Sequence, residues 1–210
     1  MKTKIACFFF CLLFVFSCND ETRNILIINQ IDRLFQEGKY EQAKTSIDSF
    51  INLNSKNELA WTLKGQIEEK LDNNQSAAEA YNKALEINPK AAKALTGMGI
   101  ISRKNGDYDQ SAGYYYKAIK ANPNYAPAYS SLVTIELKRK NFENAVKFGK
   151  KGYLLEKEDP VIIANLSIAY HFFGDTVNRD RYYEMAKKLK YRNIKALPLI
   201  FIGEVNIFDN

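Results

Sequence analysis

Few side chains in this sequence are of a kind that could do covalent or metal chemistry. There is one histidine, His171, and there are three cysteines, Cys7, Cys11 and Cys18, among 210 residues. His171 has neither a second histidine nor a neighbouring cysteine with which to hold a metal. Glu68 and Glu69 are adjacent, so on a helix they point to different faces and cannot work as an acid/base pair. Gly97-x-Gly99 with Ser102 spells the start of a dinucleotide fingerprint, but that motif needs a preceding strand and a third glycine near the helix start. Asn165-Leu166-Ser167 has the spelling of a glycosylation sequon, yet it falls inside a helical pattern. No acid, base and nucleophile combine. The chain is therefore read as no enzyme, with no cofactor and no metal.

Charge offers binding chemistry instead. Lys plus Arg number 30 against 24 Asp plus Glu, a formal net charge of +6. Residues 18–125 balance at 14 basic and 14 acidic groups, whereas residues 126–210 hold 14 against 10. Lys138-Arg139-Lys140, Lys147, Lys150-Lys151 and Lys187-Lys188-x-Lys190-x-Arg192 supply most of the excess. A solvated helix face explains these residues most simply, and an anionic partner is the sharper alternative. With 46% hydrophobic and 26% charged residues, disordered and collagen-like classes are excluded.

The amino terminus sets the compartment. Lys2 and Lys4 precede an apolar run from Ile5 to Phe16. Twelve residues are too few to cross a hydrocarbon core that needs roughly 20, but they suit the core of a secretory signal. The stretch Val15-Phe16-Ser17-Cys18, followed at once by polar Asn19-Asp20-Glu21, resembles the lipobox of bacterial lipoproteins. That resemblance implies a signal peptide over residues 1–17, lipidation of Cys18 and a tether over residues 18–23. It further implies a cell-envelope protein held to the membrane by lipid, in the outer membrane at its periplasmic face or at the cell surface. Nucleic acid is not an expected partner there. Cys7 and Cys11 would leave with the signal, so packing alone would stabilise the mature fold.

The elements that carry the remaining side chains are set by an internal repeat. Ala84, Ala118, Gly152 and Ala186 lie 34 residues apart, as do Gly65 and Gly99, with Val133 and Ser167 in the same column. Tyr81, Tyr115 and Tyr183 share another column, interrupted by Gly149, and Asn88-Pro89 recurs as Asn122-Pro123. The frame divides the chain into residues 24–57, 58–91, 92–125, 126–159 and 160–193. Trp61, Gly65, Ala77, Tyr81, Ala84 and Pro89 make the second repeat the fullest; Leu95, Gly99, Gly106, Tyr108, Tyr115, Ala118 and Pro123 follow in the third. The fourth has Gly149 for the large residue and Lys157 for the proline, and the fifth has Arg179 in a column of small side chains.

A 34-residue period with this pattern resembles the tetratricopeptide repeat, two antiparallel helices per unit. The resemblance implies an all-α fold, a right-handed α-solenoid of about five helix-turn-helix repeats stacked on one continuous core. It implies a concave groove lined by the first helix of each repeat, at its second, fifth, ninth, twelfth and thirteenth positions. Carried onto this sequence, those positions include Thr62, Gln66, Glu69, Lys93, Thr96, Ile100, Arg103, Ser130, Thr134, Leu137, Lys138 and His171. Ile100 and Leu137 are expected as exposed apolar anchors. The Lys/Asn clamp with which some relatives grip a terminal carboxylate is missing, since its columns hold Ile28 and Asp32, or Thr62 and Gln66.

Residues 194–210 fall outside the repeats and are apolar, with Pro198 and Gly203 breaking any long helix. They are expected to pack back on the fifth repeat; a docking segment is the other reading. The functional expectation is a membrane-anchored scaffold that binds another envelope protein or peptide segment in the groove. Such a scaffold would support assembly of an envelope, secretion or pilus complex. The alternative is a module for peptidoglycan or another anionic glycan.

Overall fold

The computed structural model describes residues 21–208. Cys18, the signal segment and tether residues 18–20 lie outside the described residues. Helix α1 spans residues 21–36, so residues 21–23, expected as tether, are its first turn; Glu21 there suits the positive end of the helix dipole. Ten further helices follow among the described residues: α2 (Tyr40–Leu53), α3 (Glu58–Lys70), α4 (Asn74–Ile87), α5 (Ala92–Lys104), α6 (Tyr108–Ala121), α7 (Ala126–Lys138), α8 (Phe142–Leu155), α9 (Pro160–Phe173), α10 (Thr176–Lys188) and α11 (Ala196–Phe201). No strand occurs among the described residues.

The 34-residue period is visible in where helices start. First helices begin at Glu58, Ala92, Ala126 and Pro160, second helices at Tyr40, Tyr108, Phe142 and Thr176, each on the frame. The turn between paired helices has one rule. Its fifteenth column is left-handed every time: Gly38 (φ 75°), Asp72 (61°), Gly106 (83°), Lys140 (58°) and Gly174 (91°). In the third, fourth and fifth repeats the next residue, Asp107, Asn141 or Asp175, then caps the second helix. Asp107 accepts from Gln110 N at 2.9 Å and Asp175 from Asn178 N at 3.0 Å. Two first helices are capped in the same manner. Asn57 accepts from Ala60 N at 3.0 Å, and Asp159 from Val161 N and Ile162 N at 2.7 and 3.0 Å.

The chain divides into two compact bodies, the first ending at Ile87 and the second beginning at Asn88. In the first body Ile31, Ala43, Ile47, Phe50, Ile51, Ala60, Leu63 and Ile67 pack together, with Trp61 against them. Buried Glu68 accepts from Lys44 Nζ at 3.1 Å and Asn73 Nδ2 at 2.9 Å, while neighbouring Glu69 accepts from the Tyr81 hydroxyl at 3.1 Å. The two carboxylates do face different ways.

In the second body the repeat columns show why each departs from the pattern where it does. The buried ring of Tyr115 lies on Gly99, where a Cβ would stand 2.4 Å from Cε1. The fourth repeat exchanges the two: Val133 is large where Gly99 is small, and Gly149 is small where Tyr115 is large. Leu166 Cδ1 fills the space, 2.8 Å from where a Gly149 Cβ would be. The third and fifth repeats exchange a hydrogen bond in the same way. Ser111 Oγ donates to Gly99 O at 2.8 Å, whereas Ser167 Oγ, in the glycine column, donates to Arg179 O at 2.9 Å. Arg179 fits its small-residue column because its guanidinium turns outward, pairing with Asp180 at 2.7 Å and lying 5.2 Å from the Phe201 ring centre.

The carboxy-terminal segment packs on both the fifth and fourth repeats. Leu197 joins the cluster of Ile163, Leu166, Tyr170 and Tyr182. Phe201 lies 5.0 Å from His171, and Gly203 (φ 78°) turns the chain back. Ile207 then packs on Val133, Leu137, Ala145 and Ala169, and Phe208 reaches Phe172 at 5.0 Å and Phe142 at 6.4 Å.

Candidate functional site

The expected groove residues divide between the bodies. In the first, Thr62 is 2% exposed and donates to Glu58 Oε1 at 2.8 Å. Gln66 and Glu69 are half-buried on the same helix, α3. These hydroxyl and carboxylate groups answer one another within the chain.

In the second body, first helices α5, α7 and α9 bring a subset together around one hollow of about 330 Å³. Ile100 and Arg103 line it from α5, and Pro127, Ser130, Ser131 and Thr134 from α7. Asp159, Val161, Ile162 and Asn165 complete it from the start of α9. The helical rise stacks the second, fifth and ninth columns on one face, which is why residues so far apart in sequence meet. Asn165 Nδ2 donates to Ser130 Oγ at 2.9 Å, tying α9 to α7 across the floor. The sequence reading missed six of these residues. Pro127 and Val161 stand in the second column and follow from the rule already stated; Ser131 and Asn165 are in the sixth column, one step beyond it.

The remaining expected residues do not line this hollow. Lys93 is exposed in the first turn of α5. Thr96 is 5% exposed, and its hydroxyl has no partner. Lys138 lies with its Nζ 6.0 Å from the Tyr108 ring centre. Leu137 is a correction: it is 5% exposed and belongs to the core, clustered with Val133, Ala145 and Ala169 under Phe142, Ile168, Phe172 and Ile207. His171 is sandwiched between Phe172 at 4.7 Å and Phe201 at 5.0 Å. Burial, followed by the nearby Arg179 charge, holds its imidazole below the ordinary value. A cation is disfavoured there, so His171 works as a packed ring.

Electrostatically the hollow is lopsided. Asp159 has its carboxylate turned to the α9 amides. Arg103 is half-buried and, among the described residues, makes no hydrogen bond or ion pair. Hydroxyls and one cation unengaged among the described residues, beside apolar Ile100, Val161 and Ile162, can hold a peptide. Among the described residues no group of three His, Cys, Asp or Glu side chains is placed to hold a metal, and no helix is long and apolar enough to cross a membrane.

Comparison with known proteins identifies the family of the repeat. A family model described as tetratricopeptide repeat matches residues 28–92 and 96–160, more than half of the chain, and a second of that description matches residues 80–111. No curated protein matches the sequence. Among solved structures, PilW, described as a widely conserved type IV pilus biogenesis factor, is similar with a TM-score of 0.71 at 21% identity, covering 88% of each chain. PilF of Pseudomonas aeruginosa gives 0.70 at 17% identity over 86% of this chain and 83% of that one. YrrB, described as a tetratricopeptide-repeat protein with an unusual peptide-binding site, gives 0.55 at 16% identity over 83% and 90%. At such identities the likeness establishes the fold.

Proposed function

The chain belongs to the tetratricopeptide-repeat family, an all-α fold of helix-turn-helix scaffolds, and from that premise we propose a non-catalytic assembly scaffold of the bacterial cell envelope. Its second body binds an extended segment of another envelope protein in the hollow between α5, α7 and α9, and lipid on Cys18 holds it to the membrane. The observation that carries this reading is the hollow itself: a concave, half-polar surface on three first helices with a cation left unengaged. The names of the PilW and PilF structures support a role in pilus or envelope assembly.

Filling the hollow tests the reading. Ser131→Trp and Thr134→Trp, each in the lipidated full chain, should leave the helical circular dichroism intact. They should also cut partner recovery from membranes at least about tenfold, the usual consequence of blocking a central anchor site. Unchanged recovery would overturn the assignment to this surface. The alternative, an anionic envelope polymer held by Lys147, Lys150 and Lys151, is favoured by those exposed lysines. It predicts salt-sensitive sedimentation with purified cell wall that the tryptophan variants retain.

A further inference from the structure

We propose that the hollow contains a carboxylate subsite, formed by the Arg103 guanidinium with the Tyr115 hydroxyl beneath it, and that an acidic side chain of an extended partner segment fills it. The proposal rests on the groove reading above and deepens it. Its basis is a comparison of two repeats of the same chain.

The second and third repeats carry Thr62 and Thr96, Gly65 and Gly99, and Tyr81 and Tyr115 in matching columns. Both tyrosines lie on their glycine in nearly the same pose. A Cβ on Gly65 would stand 2.5 Å from Tyr81 Cδ1 and 2.9 Å from Cζ; on Gly99 it would stand 2.7 and 2.9 Å from the same atoms of Tyr115. The hydroxyl, one bond past Cζ, therefore runs toward the side chain one helical turn further along. In the second repeat that residue is Glu69, which accepts from Tyr81 at 3.1 Å. In the third repeat it is Arg103. The threonines part in the same way: Thr62 donates to Glu58 Oε1 at 2.8 Å, while Ala92 stands in the column of Glu58 beneath Thr96.

The consequence is visible in the third repeat. Tyr115, 0% exposed, and Thr96, 5% exposed, each keep a buried hydroxyl with no partner. Leaving a buried donor unanswered is costly, and such groups are rare in folded proteins. Arg103, in the column of Glu69, itself makes no hydrogen bond or ion pair among the described residues. The repeat has thus lost two internal acceptors and gained a cation, so the hydroxyl donors of Thr96 and Tyr115 are left unanswered. A carboxylate is the acceptor that suits Arg103 and Tyr115 together, since it pairs with guanidinium bidentately and has lone pairs left for a hydroxyl. An acidic side chain fits better than a chain terminus. The wall continues from Arg103 to apolar Pro127, Val161 and Ile162, so the segment runs on past the arginine with an apolar residue beside the acid. Asp159 on the far wall disfavours a second acid there.

Selection of random dodecapeptides displayed on phage against the full chain tests the inference, with affinities then measured by fluorescence anisotropy on synthetic, amidated copies. Selected peptides should share one acidic residue next to an apolar one. Replacing that Glu with Gln should weaken binding at least about tenfold, as expected for a charged hydrogen bond. Arg103→Gln should erase the difference, and Tyr115→Phe should reduce it. Tyr115→Phe should also leave the unbound protein no less stable, whereas Tyr81→Phe should destabilise it. Peptides blind to Glu→Gln, or bound equally by Arg103→Gln, would overturn the subsite while leaving the groove reading in place. Binding that depends on a free carboxy terminus would overturn it too. Selected peptides that still bind Thr134→Trp, or no selected peptide at all, would count against both readings.

Discussion

Gly99 and Gly113 offer the same substitution in the same body with opposite expected signs. Both lie within helices, α5 and α6, where replacing Gly by Ala contributes about 0.8–1.0 kcal/mol through backbone entropy. At Gly113 the new Cβ meets nothing within 4 Å, so the full gain should appear. At Gly99 it would stand 2.4 Å from Tyr115 Cε1, whereas ordinary contact begins near 3.4 Å. The ring must retreat by about 1 Å, and it is wedged against Ala112, Leu132 and Ile135 with no surface to move toward. Overpacking of that kind costs about 1–3 kcal/mol. The backbone gain is common to both, so the difference between the variants should equal the overpacking cost. Urea unfolding followed by circular dichroism reads it, since both sites lie in the second body. Adding Tyr115→Leu to Gly99→Ala should recover part of the loss. Equal upward shifts of the midpoint in both single variants would refute the close glycine–tyrosine packing.

Three further outcomes follow from the same structure. Deleting residues 202–210 should raise hydrogen exchange near Leu137 and Phe172 and cost about 1–3 kcal/mol through loss of Ile207 and Phe208 packing. Acidification should loosen the same segment. His171 titrates below the ordinary 6.5, so the folded state resists its proton, and stability is lost as pH falls through and below that value. Exchange in residues 196–208 should therefore rise between pH 7.5 and 5.5, and His171→Phe should flatten the response. Cys18→Ala should abolish acyl labelling and leave unprocessed precursor; labelling that persists would remove the anchor.

Much of this was legible in the sequence because the repeat is a steric code. Gly65 with Tyr81 and Gly99 with Tyr115 are small and large residues held in register by a 34-residue period, and the helices start on that frame. The columns of the first helices likewise placed Ile100, Arg103, Ser130 and Thr134 on one wall. Leu137 was misread because its column says nothing of the cluster around it, which takes in Ala169 of the next repeat and Ile207, seventy residues on, in a segment with no repeat to fix where it lands. The division after Ile87 has no marker in the columns either, since Asn88-Pro89 recurs as Asn122-Pro123 within the second body. The unanswered hydroxyls needed coordinates: Thr96 and Tyr115 match Thr62 and Tyr81 as letters, and only the positions of Glu58 and Glu69 reveal what the third repeat lacks.

Partner binding in the hollow is measured most directly by photocrosslinking in the living envelope. A benzophenone amino acid at Ser131, on the hollow wall, is compared with one at Gly113, on the exposed face of α6. The expected result is a discrete crosslinked partner at Ser131, mapped by mass spectrometry to one extended segment with an acidic residue, and none at Gly113. Crosslinks at Gly113 alone, or an identical pattern from both positions, would contradict binding in the hollow.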